Sequence, residues 1–504
     1  MALAEVFTRA LTGISTLLVT VEIDISKGLP GFTLVGLSDS ITRGIRARVR
    51  SAIINSGYHF PARKITLSLT PSDCIKEGYG YDLPIAIAVL VASGQVNPLS
   101  LSHYEFYGEL SLDGTLNGCK GTISALLAAP DSNHHIIVAS EFYNPDIAFN
   151  QDAIFFADDL KQVCRYIQGD TLLRPHRPDF IKTDATPLYK NDLETIIGQQ
   201  HAKRAIEIAA AGGHSLLMGG PPGTGKTTLA NCLAGLLPPL TNDEKIAIAE
   251  VSNLLSSHLV FPLSRPFRSP HHSITPAGLI GTTQPLSVGE ITLAHQGVLF
   301  LDELMEFDKK TLEALRTPLE KGSVLLSRAK KQVTYPAKFH LIAAMNFPFV
   351  QIHSQTKDQR KKHSIDKSLE RLSAALIDRF QLSVEVSSPV EKRLTLKEES
   401  GKCVRERVSL ARHKQMERQG KENARLCSSE VNFYCPITES DRAWLNNYYE
   451  KFLLSPRSVL HIIQVARTIT DLNGETTITR HSLQEALSYR YTDRIIHYLT
   501  HFYN

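Results

Sequence analysis

The chain is 504 residues long, 42% hydrophobic and 21% charged, which is apolar material for about three domains and excludes disordered, collagen-like and coiled-coil classes. Lys plus Arg number 55 against 51 Asp plus Glu, a formal charge of +4, so nucleic-acid binding would need a local basic surface. The 7 cysteines stand singly, with no C-x-x-C pair, which argues for a reducing compartment and against a disulfide framework or structural zinc.

In chain order, Leu11 to Val21 is too short for a membrane span and runs into Glu22 and Asp24. It is predicted to be a strand, continued by the alternation Val19-Thr20-Val21-Glu22-Ile23-Asp24-Ile25. A secretion signal would need a basic start and a small-residue cleavage site, so neither membrane nor export is expected. Strand-like runs at Ile65–Leu69 and Ile136–Ala139 alternate with helical periodicity at Ile41–Gly57 and Asp82–Ser93, predicting an α/β or α+β domain over 1–168. Pro175, Pro178 and Pro187 break a polar stretch at 169–190, predicted to be a linker. Residues 191–388 alternate helices and strands around phosphate-binding motifs, predicting an α/β core with a parallel sheet, and 389–504 reads as helical and charged. From Glu391 to Arg425 there are 11 Lys/Arg against 6 Glu, a net of 11 − 6 = +5. That run is either a nucleic-acid surface or a solvated helix, and the second reading is favoured.

The strongest chemical signal is Gly220-Pro221-Pro222-Gly223-Thr224-Gly225-Lys226-Thr227, after the apolar run Leu216-Leu217-Met218 and before a helix predicted from Thr228 to Leu236. Glycines in such a loop let successive N–H groups face one anion, and the helix N-terminus adds partial positive charge. Lys226 would reach the β/γ-phosphates of ATP, and the Thr227 hydroxyl would ligate Mg²⁺. The strand Val298-Leu299-Phe300-Leu301 ends in Asp302-Glu303, where Asp302 would hold the Mg²⁺ hydration shell and Glu303 would polarise the attacking water. A third strand, His340 to Met345, ends in Asn346, whose amide could hold the same water. His271-His272 is not expected to bind metal, because adjacent imidazoles point in different directions and lack nearby Cys or carboxylate partners.

This order of motifs resembles an AAA+ ATPase. Ser264-Arg265-Pro266-Phe267-Arg268-Ser269-Pro270-His271-His272-Ser273, followed by Gly289-Glu290-Ile291-Thr292-Leu293-Ala294-His295 and the acidic strand, is similar to the magnesium-chelatase-like family. Ile65 to Val96, with Lys76-Glu77-Gly78 and Tyr81-Asp82-Leu83-Pro84-Ile85, resembles its ComM/YifB branch. The resemblance covers nearly the whole chain. It implies a bacterial, cytoplasmic ATP hydrolase with ATP and Mg²⁺ as cofactors, acting as a hexameric DNA helicase in branch migration during natural transformation. Single-stranded or branched DNA, bound without sequence preference, and recombination proteins are the implied partners.

The resemblance also implies residue roles. Ile197 and Gly198, with Gln199, lie near the adenine; Gly220 through Thr228 hold the phosphates; Asn346 senses the γ-phosphate. Arg379, in Asp378-Arg379-Phe380, supplies an arginine finger to the neighbouring subunit, the alternative being a surface salt bridge. Arg457, in Ser455-Pro456-Arg457-Ser458, touches the γ-phosphate in cis, although an Arg opening a helix is common. Gly322–Arg328 and Gln332–Tyr335 read as a hairpin with Ala329-Lys330-Lys331 at its turn. Arg328, Lys330 and Lys331 would face DNA in a ring pore, together with the segment Thr275 to Ser287.

The amino-terminal domain resembles a Lon protease domain without its nucleophile: Gly80 and Ile123 stand where the catalytic Ser and Lys would be, so a non-proteolytic collar is expected. Unlike relatives rich in cysteine after the sensor Asn, Phe347 to Ser368 has none. Two rival readings remain open at this point, a magnesium-chelatase motor subunit and a nucleotide-binding scaffold without turnover.

Overall fold

The computed structural model describes residues 2–71, 76, 78–149, 153–176, 193–258, 261–283, 286–328, 331–346, 372–387, 398–452, 455–493 and 495. The chain divides into two units. The first comprises residues 1–185, 241–262 and 327–335, and the second 186–240, 263–326 and 336–504.

The first unit is built on an eight-stranded mixed sheet. Its spatial order is Arg174–Pro175, Ile154–Ala157, His135–Ala139, Tyr104–Phe106, Ala2–Thr12, Ser15–Ser26, Lys64–Thr70 and Gly31–Val35. Val19, Val21, Ile23 and Ile25 are buried while the intervening residues are half-buried, as period-two alternation requires of a sheet with one covered face. The covering helices are Asp39–Asn55 and Asp82–Ala92. The second is buried along nearly its whole length, and its first residue is the acidic Asp82. Arg48 answers that charge with a two-pronged bond, Nε to Oδ2 at 2.6 Å and Nη2 to Oδ1 at 3.0 Å.

Leu11 to Val21 is not one strand. Thr12 pairs with Ser15 across a turn at Gly13 (φ +69°), so this run ends one strand and begins the next. Part of the stretch predicted to be a linker belongs to the sheet, and residues 177–190 of it lie outside the described residues. Arg174 and Pro175 pair antiparallel with Phe156 and Phe155, and buried His176 bonds through Nε2 to the Ile147 carbonyl at 2.7 Å. Proline is tolerated there because the strand lies at the sheet edge.

Two segments read as part of the ATPase core belong instead to the first unit. In the helix Asn242–Asn253, the Asn242 side chain exchanges two hydrogen bonds with the backbone of Ala148, at 3.0 and 2.9 Å. Asn253 Oδ1 accepts from the Ile123 amide at 3.1 Å, and Ile246 joins a core with Ile123, Leu126 and Phe149. Residues 327–335 are the outer part of the hairpin Ser323–Arg328/Lys331–Pro336. Val333 sits so close over Gly13 that a Cβ there would lie 2.0 Å from its Cγ1.

The second unit holds a five-stranded sheet whose pairs are all parallel, ordered Phe267–Arg268, Val298–Leu301, His340–Met345, Leu216–Gly219, Leu382–Glu385. Its three central strands are buried at every position, as expected of a sheet covered on both faces. Leu216, Phe300, Ile342 and Val384 share one core with Val404, Val408, Val465 and Ile469 of the carboxy-terminal helices. ATPase sheet and helical region therefore form one unit.

The longest of those helices, Gly401–Gln419, carries most of the basic run. Its arginines are spent internally. Arg405 donates to the Gly235 carbonyl (2.8 Å), Arg407 to Glu207 (2.7 Å), Arg412 to the Ala210 carbonyl (2.7 Å) and Arg418 to Asp471 (2.8 Å). The favoured reading of this run as a solvated helix is thereby corrected: these four arginines hold the fold together.

Candidate active site

The phosphate loop joins Leu216–Gly219 to the helix Lys226–Leu236. Gly220 leaves the strand so close to its neighbour that a Cβ would lie 2.1 Å from the Val386 carbonyl oxygen, which explains why only glycine fits. Thr224 Oγ1 donates to the Pro221 carbonyl at 2.9 Å, bracing the loop. Lys226 is buried, and its Nζ donates to the carbonyls of Gly220 (3.0 Å) and Pro221 (2.8 Å). Burial lowers the ammonium below its ordinary value, with the Asp302 carboxylate acting against that shift.

Three strands deliver their chemistry to the same edge of the sheet. Asp302 and Glu303 follow Val298–Leu301, and Asn346 follows His340–Met345. Thr227 Oγ1 donates to Asp302 Oδ2 at 2.9 Å. Asn346 Nδ2 donates to Glu303 Oε1 at 3.3 Å. Parallel strands place their carboxyl ends together, and ligands of open α/β sheets bind there. An adjacent hydroxyl and carboxylate suit Mg²⁺, which keeps most of its ligands from water and phosphate. Among the described residues no group of three or more His, Cys, Asp or Glu forms a protein cage.

Residues 197–199, expected near the adenine, are tied down by a partner that carries no sequence signal. Glu398 accepts from the Gly198 amide (2.7 Å), Gln200 Nε2 (3.0 Å) and Lys203 Nζ (2.7 Å). Ile197 is 43% exposed beside it. Gln199, at φ +53°, donates through Nε2 to the Thr224 carbonyl at 2.9 Å, joining this segment to the phosphate loop. Contrary to expectation, His272 does not point away from its neighbour or lack a carboxylate. Its ring lies against that of His271, centroids 4.0 Å apart, and its Nδ1 is 3.5 Å from Glu303 Oε2, a pairing with one carboxylate rather than a metal cluster among the described residues.

Arg379 and Arg457 lie elsewhere. Both line a cavity of about 130 Å³ with Ser215, Leu341, Gln381 and His461. Ser215 and Gln381 immediately precede their strands and Leu341 is second in its own, so this is the amino-terminal edge of the sheet. Strands of four to six residues at about 3.3 Å per residue separate the two edges by roughly 13–20 Å. Arg457 was expected at the γ-phosphate of its own chain. The fold sets it instead beside Arg379, because the helix Pro456–Leu472 begins at that opposite edge. Glu320 pairs with both, directly with Arg379 and at 3.4 Å from Arg457 Nη1, and Asp378 Oδ2 lies 3.7 Å from Arg457 Nε. Burial, and next the neighbouring Arg457, lower the Arg379 guanidinium below its ordinary value. Of the DNA-contact candidates, Lys330 and the side chains of Arg328 and Lys331 fall outside the described residues, as does the segment 347–371.

The comparisons with known proteins agree with this architecture. The family described as "Magnesium chelatase, subunit ChlI" matches residues 192–394, "Subunit ChlI of Mg-chelatase" matches 21–142, and "Magnesium chelatase, subunit ChlI C-terminal" matches 398–490. The chain is 45% identical over 506 residues to the uncharacterized protein YifB of Salmonella typhimurium, covering 99% of each. It is 44% identical over 508 residues to the competence protein ComM of Haemophilus influenzae, covering 99% of this chain and 100% of that one. To the magnesium-chelatase 38 kDa subunit of Rhodobacter capsulatus it is 26% identical over 222 residues, 40% of this chain and 57% of that one. With family matches across sheet, loop and carboxy-terminal helices and full-length likeness to both named relatives, the chain belongs to the ComM/YifB family of magnesium-chelatase-like AAA+ proteins.

Proposed function

We propose that this chain is an ATP-hydrolysing motor that works as a ring, a hexamer by family resemblance, and moves branched DNA in the bacterial cytoplasm during uptake and recombination. The observation that carries the reading is the division of one site between two edges of a single sheet. Lys226, Thr227, Asp302, Glu303 and Asn346 converge at one edge, while Arg379 and Arg457 lie together at the other. A complete hydrolytic site then needs a second copy, whose arginines meet the first copy's phosphates.

In that arrangement Gly220 through Thr228 cradle the triphosphate and Ile197 and Gly198 flank the base. Bound Mg²⁺, held through Thr227 and Asp302, would neutralise phosphate charge. Glu303, oriented by Asn346, takes a proton from the attacking water, a contribution of about 10²–10⁴-fold. Arg379 of a neighbour stabilises transition-state charge, worth roughly 10³–10⁵-fold in related systems. Arg457 acts from the same neighbour, in trans. The basic hairpin with Arg328, Lys330 and Lys331 is the proposed DNA contact, on sequence alone. The first unit is proposed as a non-proteolytic, Lon-like collar, supported by Gly80: a Cβ there would lie 2.5 Å from the Tyr107 ring, which leaves no room for a serine.

The competence protein name of one full-length relative supports the DNA reading. The chelatase subunit aligns with only 40% of the chain, which weakens the rival reading as a porphyrin-metallating motor. Steady-state ATP hydrolysis with and without a branched DNA junction, beside Glu303→Gln, tests the proposal. Stimulation by the junction that vanishes in the variant is expected. Hydrolysis indifferent to every DNA tested would overturn the DNA motor, and no hydrolysis at all would overturn the ATPase and favour a scaffold.

A further inference from the structure

We propose that His272 is a positioning residue for Glu303, an inference that rests on the reading of Glu303 as the group that activates water. A carboxylate pinned at one oxygen still swings about that bond. Asn346 holds only Oε1, at 3.3 Å. His272 approaches the other oxygen, with Nδ1 3.5 Å from Oε2, so donors on two different segments bracket the group and define its plane. The contact is long for a hydrogen bond, as catalytic contacts often are before substrate draws them in.

The imidazole is itself held. Its ring lies against His271, with centroids 4.0 Å apart, and meets Phe307 edge-on at 6.5 Å. His271 is fixed in turn by Ser273, whose Oγ lies 2.8 Å from His271 Nδ1 and whose amide donates to that nitrogen at 3.3 Å. Glu303 needs such outside support because its backbone sits in the left-handed region (φ +53°), where a non-glycine residue is strained and the surroundings must hold it. His272 lies just after the strand Phe267–Arg268 and three residues before Thr275, whose hydroxyl caps the helix Pro276–Ile280. The orientation of Glu303 is thereby tied to the position of the segment inserted before the acidic strand.

The test exploits which ring nitrogen makes the contact. Asparagine places an amide nitrogen where Nδ1 lies, whereas glutamine reaches toward the position of Nε2. We would measure kcat and KM for ATP in the full chain with Glu303→Gln, His272→Ala, His272→Asn and His272→Gln. His272→Ala and His272→Gln should lower kcat roughly ten-fold. KM should stay within about two-fold of the parent, since only orientation at the reacting end is lost. His272→Asn should restore most of the rate, a distinction that a merely structural role would not make. An unchanged or raised kcat in His272→Ala, equal rates for the Asn and Gln variants, or a KM that moves with kcat would overturn the inference. If Glu303→Gln hydrolyses ATP as the parent does, or the parent does not hydrolyse it, the reading of Glu303 falls together with this one. A dead Glu303→Gln beside an unaffected His272→Ala removes the His272 role alone.

Discussion

Single residues here do what their neighbours allow. Glu303 and Asn346 are both exposed polar groups at strand ends, joined by a 3.3 Å contact, and in the proposed site an incoming phosphate and its water would meet them there. Gly80 is the opposite case, a position where nothing but hydrogen fits. Its φ of +76° and the Tyr107 ring 2.5 Å from a notional Cβ make any side chain both strained and crowded. Gly80→Ser should therefore destabilise the first unit by about 1–3 kcal/mol, the usual cost of overpacking, and produce no peptidase activity. Urea unfolding and a peptide-cleavage assay would check both parts. A variant as stable as the parent would show that Tyr107 yields freely.

At the scale of elements, the carboxy-terminal helices are locked to the ATPase sheet by buried polar groups as well as by apolar packing. His214, just before Leu216–Gly219, lies 3.1 Å from Gln381 Oε1 and 2.7 Å from Thr468 Oγ1, so it joins that strand to the approach of Leu382–Glu385 and to the helix Pro456–Leu472. Burial pushes its imidazole down to about 4, against the Gln381 hydrogen bond. His340, at the start of its strand, is pushed down to about 3 by burial, with Glu422 acting against it. Both are neutral in the folded state, whereas an unfolded histidine titrates near 6.5. The unfolded chain thus binds more protons below that value. Stability from these residues is full above about pH 6.5 and falls as the pH drops toward 4. For His214 the loss is about 3 kcal/mol over that window. Urea midpoints of the parent should fall more steeply between pH 6.5 and 4 than those of His214→Asn; parallel curves would show that His214 does not carry the effect.

At the scale of the molecule, the proposed site is one that a single chain cannot complete, and this has a direct biochemical consequence. Lys226→Ala and Arg379→Ala should each be nearly inactive alone. Mixed, they should regain measurable hydrolysis, because one interface in the assembly joins an intact phosphate loop to an intact arginine. ATPase activity of the mixture against each variant alone is the measurement. No recovery under conditions where subunits exchange would argue that Arg379 serves its own chain or has no role in turnover.

Much of this protein was legible in the chain itself. The phosphate loop, the acidic strand end and the Asn346 strand are local patterns, in which the spacing of residues along one segment determines both the element and its chemistry. The observed strands Leu216–Gly219, Val298–Leu301 and His340–Met345 lie where their apolar runs predict. Gly198 and Glu398, 200 residues apart, could not be associated by spacing, and neither could His272 with Glu303, since such pairs exist only once the chain has folded. The same holds for the helix Asn242–Asn253 and the outer hairpin, whose place in the first unit depends on the partners that bury them, Ala148, Ile123 and Gly13. Arg457 is the sharpest instance. Its motif predicted a helix start correctly, but the edge of the sheet from which that helix departs is set by packing of the whole core, and under the proposed function that edge decides which chain's nucleotide the arginine would reach.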